Sequence, residues 1–233
     1  SFDGARWRKV EGLPETGVTH IAAHGNHMFA VHRDAVHRLD PNGEARQMPL
    51  PPNMKVTCIE PSEDHVWLGT EQGLCVWSGD SFAPVEELNA LLPEGGRIAA
   101  VKARKDAGAG EGVAVAASSG LFLREMGSWR RLFPQEGARS WTAVDVRGIA
   151  WDSAGGLWFA SPHGVGCLSR EGQWSLYTPE NGLPYDDFTG VASAQTGERS
   201  VWFATTKGAI RFDGKSWEYR QGRRWLPADH VYG

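Results

Sequence analysis

The chain has 233 residues, 41% of them hydrophobic and 22% charged, with a formal net charge of −4 and a pI near 6.1. That balance excludes a basic face able to wrap nucleic acid or an anionic membrane, and no apolar run approaches the ~20 residues of a membrane-spanning helix. The 29 glycines and 11 tryptophans stand out, and they suit tight turns and a layered β core.

In chain order, Phe2-Asp3-Gly4-Ala5-Arg6-Trp7 reads as an outer strand, the counterpart of Phe212-Asp213-Gly214-Lys215-Ser216-Trp217 near the other end. A first full unit, about 16–52, holds the degenerate copy Met28-Phe29-Ala30-Val31-His32-Arg33-Asp34-Ala35. The second, 53–93, holds Val66-Trp67-Leu68-Gly69-Thr70-Glu71-Gln72-Gly73, and its tail Pro84–Leu92 has apolar spacing suited to about two helical turns. In the third, 94–137, Val113-Ala114-Val115-Ala116-Ala117-Ser118-Ser119-Gly120 has alanine where tryptophan stands elsewhere, and the Gly-rich 102–112 reads as a wide mobile loop.

The fourth unit, 138–184, is the most complete. Its strands are expected at Trp141–Ala150, Leu157–Ser161, Gly164–Ser169 and Gln173–Thr178, separated by Gly, Pro or Asp/Asn turns. The fifth, 185–227, repeats it through Val201-Trp202-Phe203-Ala204-Thr205-Thr206-Lys207-Gly208. Asp229-His230-Val231-Tyr232-Gly233 then opens like another inner strand.

Trp158 and Trp202 are 44 residues apart, and Trp67 and Trp158 are 91 apart, or two periods. Four short strands every 40 to 45 residues predict an all-β fold, a β-propeller of four-stranded antiparallel blades. Five blades are complete, and residues 1–15 and 228–233 read as partial ones, so the chain is expected to be one domain or part of a six- to eight-bladed ring in a longer polypeptide.

Cys58, Cys75 and Cys167 are odd in number and set in apolar runs, which predicts buried free thiols. His20, His24, His27, His32 and His37 crowd the first blade, but strand positions four apart lie about 13 Å apart, too far for one ion. His24-Gly25-Asn26-His27 reads instead as a turn. Gly108-Ala109-Gly110-Glu111-Gly112 precedes a strand and lacks Gly-Lys-Ser/Thr, so it is no phosphate loop. No metal and no cofactor is expected.

In such a fold the turn between the second and third strands and the crossing into the next blade reach one face, the default ligand site. The turns offer Arg33, Glu71, Gln72, His163 and Lys207, and the crossings offer Arg97, Trp141, Tyr185, Asp186, Asp187 and His230. Asp186-Asp187 has no Asp-rich loop around it for calcium and reads as a solvated crossing. Mixed charge with aromatics suits a polar small molecule, a saccharide or a peptide.

The succession Gly148-Ile149-Ala150-Trp151-Asp152-Ser153-Ala154-Gly155-Gly156-Leu157-Trp158-Phe159-Ala160-Ser161, then Gly164-Val165-Gly166, then Tyr177-Thr178-Pro179-Glu180-Asn181-Gly182-Leu183-Pro184, resembles the two-component regulator propeller repeat. The likeness is strong in the fourth and fifth units, fair in the second and weak in the first and third. It implies a periplasmic or extracellular sensor-type module that recognises a glycan, another small ligand or a protein partner, and it carries no catalytic residue across. A polysaccharide lyase or hydrolase is the alternative. Its base and charge-neutralising groups would come from His163, Tyr185, Lys207, Arg97 and His230. A structural propeller in a protein assembly is the third reading.

Overall fold

A computed structural model describes residues 6, 13–14, 16–93, 96–106, 110–183, 187–194 and 200–231. Five four-stranded antiparallel meanders follow one another. The first is β1 (Val18–His24), β2 (His27–His32), β3 (Ala35–Leu39) and β4 (Ala45–Pro49), and the second is β5 (Val56–Pro61), β6 (Val66–Thr70), β7 (Gly73–Trp77) and β8 (Phe82–Pro84). After the short helix α1 (Glu86–Asn89) comes the third: β9 (Ile98–Asp106), β10 (Gly110–Ala117), β11 (Gly120–Glu125) and β12 (Ser128–Leu132). A small hairpin, β13 (Gln135–Glu136) with β14 (Arg139–Ser140), leads to the fourth: β15 (Gly148–Trp151), β16 (Leu157–Ser161), β17 (Gly164–Leu168) and β18 (Trp174–Tyr177). The fifth is β19 (Phe188–Ser193), β20 (Val201–Thr205), β21 (Gly208–Phe212) and β22 (Trp217–Arg220).

The first strands of consecutive sheets adjoin in the order β1, β5, β9, β15, β19, so each sheet is a blade set against the next. Among the described residues four apolar clusters lie between blades and none lies within one. Phe29, Val36 and Met48 of blade 1 meet Ile59, Leu68 and Phe82 of blade 2, and Trp67 and Leu74 on the other side of blade 2 meet Ile98, Val113 and Phe122 of blade 3. Leu121 and Leu123 meet Ile149, Leu157 and Phe159, and Trp158 and Val165 meet Phe188, Phe203 and Phe212. Strand side chains alternate between faces, and here both faces of the middle blades are covered. The second strands therefore read as unbroken apolar runs: every residue of Val66–Thr70 and of Leu157–Ser161 is buried.

Close packing between blades explains two glycines. A Cβ on Gly148 would lie 2.9 Å from the backbone nitrogen of Val191, and one on Gly69 would lie 2.7 Å from Cγ2 of Ile98. No side chain fits at either place.

Three local expectations change. The leading strand of blade 4 covers Gly148–Trp151, and residues 141–147 run irregularly before it. Helix α1 has one turn, and Asn89 at its end donates from Nδ2 to the Leu74 carbonyl (3.0 Å) and accepts the Leu74 N–H (2.9 Å), so it caps the blade edge as another strand would. In blade 3 the expected loop is mostly ladder, with Ala103 paired to Val113 and Asp106 to Gly110. Glu60 of blade 2 holds it from outside, taking the Ala103 N–H (3.2 Å) and Lys102 Nζ (2.7 Å). Residues 107–109 fall outside the described residues. All three cysteines are free thiols, and burial pushes Cys58 up to about 11.

Candidate functional site

The rim is built on a repeated turn. Thr70 and Thr205 each end a second strand and donate from Oγ1 to the carbonyl of the glycine three residues on (2.8 Å each), and Ser161 does the same at 3.2 Å. All three are buried. The glycines, Gly73, Gly164 and Gly208, have φ of +129°, +151° and +134°, which only glycine adopts readily. Between these anchors each turn presents two residues that differ from blade to blade: Glu71-Gln72, Pro162-His163 and Thr206-Lys207.

A second repeated device lies beside the turns. Four of the five first strands open with a bulge, at Thr19, Thr57, Ala99 and Thr189, and Arg147 holds the corresponding place just ahead of β15. A bulged residue leaves the pleat alternation and its side chain is re-aimed. Thr57 Oγ1 donates to the Ile98 carbonyl at the start of the next blade (2.6 Å), and Thr189 Oγ1 donates to the Val231 carbonyl in the same way (2.6 Å). Residues 229–231 thus lie beside blade 5 where a first strand begins elsewhere. Arg147 reaches the Phe188 carbonyl (3.3 Å) and the Asp187 carboxylate (2.8 Å) and also meets Asp145 (3.4 Å).

The residues expected on the rim fall as follows. Arg97 Nε lies 3.7 Å from Glu71, an exposed pair joining the turn of blade 2 to the entry of blade 3. Gln72 borders a depression of about 380 Å³ with Asn53, Met54 and Asn89. Arg33, His163, Lys207 and His230 are exposed, each on its own turn or crossing. Asp187, half-buried, is held by Arg147. Trp141 turns inward, with its ring 5.4 Å from that of Phe159 and its edge over Gly164. Tyr185 and Asp186 lie outside the described residues. Arg147 and Asp145 went unnoticed in the sequence because residues 141–150 read as one strand, and Asp145 and Asp187, at φ +50° and +64°, mark where the crossings bend.

A second concave feature lies at the other end of the strands. Between blades 1 and 2 is a cleft of about 680 Å³, bounded by the β1–β2 turn, the β5–β6 turn and strands β2, β3, β4 and β7. Asp40 ties three of its lining residues together. It accepts from Arg38 Nε (2.9 Å), faces His27 Nδ1 (2.9 Å) and has Arg46 Nε 3.5 Å away. Burial alone would raise the Asp40 carboxyl, but Arg38 foremost, with Arg46 and His27, outweighs it and holds the group below the usual carboxylate range. On the blade 2 side His65 Nδ1 meets Glu111 at 2.9 Å, and its ring lies 5.1 Å from Trp67. Among the described residues no three of His, Cys, Asp and Glu converge to hold a metal.

In blade 4 the same end is closed by Asp152, which is buried. Its carboxylate accepts the N–H groups of Ala154 (2.9 Å) and Gly156 (2.8 Å) and the Trp158 indole N–H (2.7 Å). In blade 2 the loop between Pro61 and Val66 is one residue shorter and Ser62 stands at the matching place, its N–H bonded to the His65 carbonyl as that of Asp152 is to Gly156. The serine is too short to reach across, and the Trp67 indole N–H is left buried without a partner.

No family model and no curated protein sequence matches the chain. Solved structures do. The extracellular domain assigned to a hybrid two component system, BT3049 of B. thetaiotaomicron, superposes with a TM-score of 0.68 at 18% identity over 96% of this chain and 31% of that one. The fold is a β-propeller. The extracellular domain assigned to a one component system of the same organism, BT4673, gives 0.59 at 14% identity over 97% of this chain and 38% of that one. Virginiamycin B lyase from Staphylococcus aureus gives 0.60 at 14% over 92% and 72%. The propeller described here thus spans about a third of the length of the sensor domains it superposes on, and at these identities the likeness is one of fold.

Proposed function

We infer that this propeller is a non-catalytic recognition module of the sensor type, binding a polar ligand or a protein partner on its turn-bearing rim, in an extracellular or periplasmic setting. The observation that supports it is the division of labour within the turns. In blades 2, 4 and 5 the buried Thr70, Ser161 and Thr205 and the glycines three residues on repeat, while the pair between them, exposed at Glu71, Gln72, His163 and Lys207, differs from blade to blade. A constant frame carrying unlike, solvated side chains around one face is how rigid scaffolds present recognition surfaces. The sensor domains that share the fold are extracellular, which favours that setting.

The test is a glycan array followed by calorimetric titration of each hit against the wild type and the double variant Glu71→Ala/Arg97→Ala. Affinity for at least one saccharide, weakened about tenfold or more in the variant, is expected. No binding to any saccharide removes the glycan reading and leaves a protein partner. Ultraviolet absorbance from an unsaturated uronate product would overturn the non-catalytic reading in favour of a lyase.

A further inference from the structure

We propose that the cleft between blades 1 and 2, on the face opposite the turn-bearing rim, is a second binding site, for a small zwitterionic ligand that carries both a carboxylate and an amine. Its two walls differ in charge. Strand register places Arg38 on β3 directly opposite Arg46 on β4, and Phe29 on β2 opposite Arg38, so the guanidinium groups and the phenyl ring share the face turned to blade 2. Like charges set opposite one another across a sheet repel. Asp40 relieves the repulsion with a single carboxylate between the two guanidinium groups, which leaves that wall with one more positive charge than negative. Arg46 is the freer of the two, with its side chain 68% exposed.

The facing wall is the β5–β6 turn, where Glu63 and Asp64 are exposed. The turn is fixed by its neighbours: Ser62 Oγ accepts the His65 N–H (3.2 Å), and the His65 imidazole is engaged by Glu111. Between the walls lie Phe29, Met48, Val66 and Trp77, a largely apolar floor. The volume of about 680 Å³ is within the range of small-molecule sites. A plain anion would meet Glu63 and Asp64 unfavourably, and a plain cation would meet the arginines. A molecule with its carboxylate toward Arg46 and its amine toward Asp64 satisfies both, and charge-assisted hydrogen bonds at the two ends fix its direction. A short peptide with free termini has this chemistry.

The probes are unblocked tripeptides Ala-X-Ala, with X as Ala, Ser or Phe, each also N-acetylated and, separately, C-amidated, titrated calorimetrically against the wild-type chain. The Phe peptide is expected to bind most tightly, and each blocking group is expected to weaken it about tenfold. Arg46→Gln should weaken the unblocked peptide and make it bind no better than its amide. Asp64→Asn should do the same for the acetylated form. Both side chains are exposed, so unchanged thermal unfolding of these variants is the folding control. Glu71→Ala/Arg97→Ala on the rim should leave peptide binding unchanged, which separates this site from the one inferred above. The proposal is overturned if none of the three unblocked peptides binds at about 10 mM, in the range of the weakest useful affinities. It is equally overturned if blocked and unblocked forms bind alike.

Discussion

Replacing Asp152 by alanine strips three donors of one acceptor: the N–H groups of Ala154 and Gly156 and the indole N–H of Trp158. Trp158 is 1% exposed and sits in the cluster between blades 4 and 5, so water cannot replace the carboxylate there. A buried donor left unpaired costs about 1–3 kcal/mol. Two such donors, the indole and Gly156, bring the expected loss to about 4 kcal/mol, a large share of the about 5–15 kcal/mol that holds a domain together. In a chain of this size that lowers the melting temperature by about 10 °C. Blade 2 provides the mirror experiment. There Ser62→Asp would offer the Trp67 indole the acceptor it lacks, with a gain of about 1 kcal/mol. Urea unfolding followed by tryptophan fluorescence measures both. A loss under about 1 kcal/mol for Asp152→Ala would refute the view that this carboxylate closes the blade.

Thr205→Val deletes the hydroxyl that bridges Gly208 and the Lys207 N–H, with a loss of about 1–2 kcal/mol and faster hydrogen exchange at the Lys207 amide, whereas Thr205→Ser keeps both bonds and should match the wild type. His37 is depressed, first by its burial and then by His32, with Asp34 opposing. The unfolded chain therefore takes up the proton first, so stability is full above about pH 6.5 and falls as the pH drops below it. In denaturant melts from pH 8 to pH 5, His37→Gln should flatten that decline, and an equally steep fall in the variant would exclude His37 as its source. Gly69→Ala drives a methyl group into Ile98 Cγ2 and Cys58 Sγ at the seam of blades 2 and 3. A loss of about 1–3 kcal/mol is expected, read from the shift of the urea midpoint.

Strand placement was legible in the sequence wherever a second strand is an unbroken apolar run and the turn chemistry after it recurs. Val66–Thr70, Leu157–Ser161 and Val201–Thr205 are strands as read. Reading failed where a neighbouring blade overrides local composition. The glycines of 108–112 suggest a loop, yet Glu60 and His65 of blade 2 hold Ala103, Lys102 and Glu111 and draw the ladder out to Asp106 and Gly110. The rim was legible as a set of positions, since turn residues are marked by the glycine that follows them, but the lock of Arg147 on Asp187 depends on a bend that no periodicity announces. The interblade cleft was hidden for another reason. Its walls come from turns about 38 residues apart, His27 and His65, and Arg38 and Arg46 become neighbours only once the β3–β4 register is set.

The residues at the head of the first strands have a consequence for how the molecule comes apart. Thr57 and Arg147 each hand a hydrogen bond forward to the opening residues of the following blade, and Thr189 hands one to Val231. Blades 2 and 4 are thus latched to their successors at one point as well as packed against them along a seam. A chain coupled only between nearest neighbours melts like beads on a string unless those couplings are strong, and the latches strengthen the two they span at the same corner. Under mechanical load the seams of blades 2–3 and 4–5 should let go at higher force than the others, and single-molecule force traces should show steps of two heights, each about one repeat of 44 residues long.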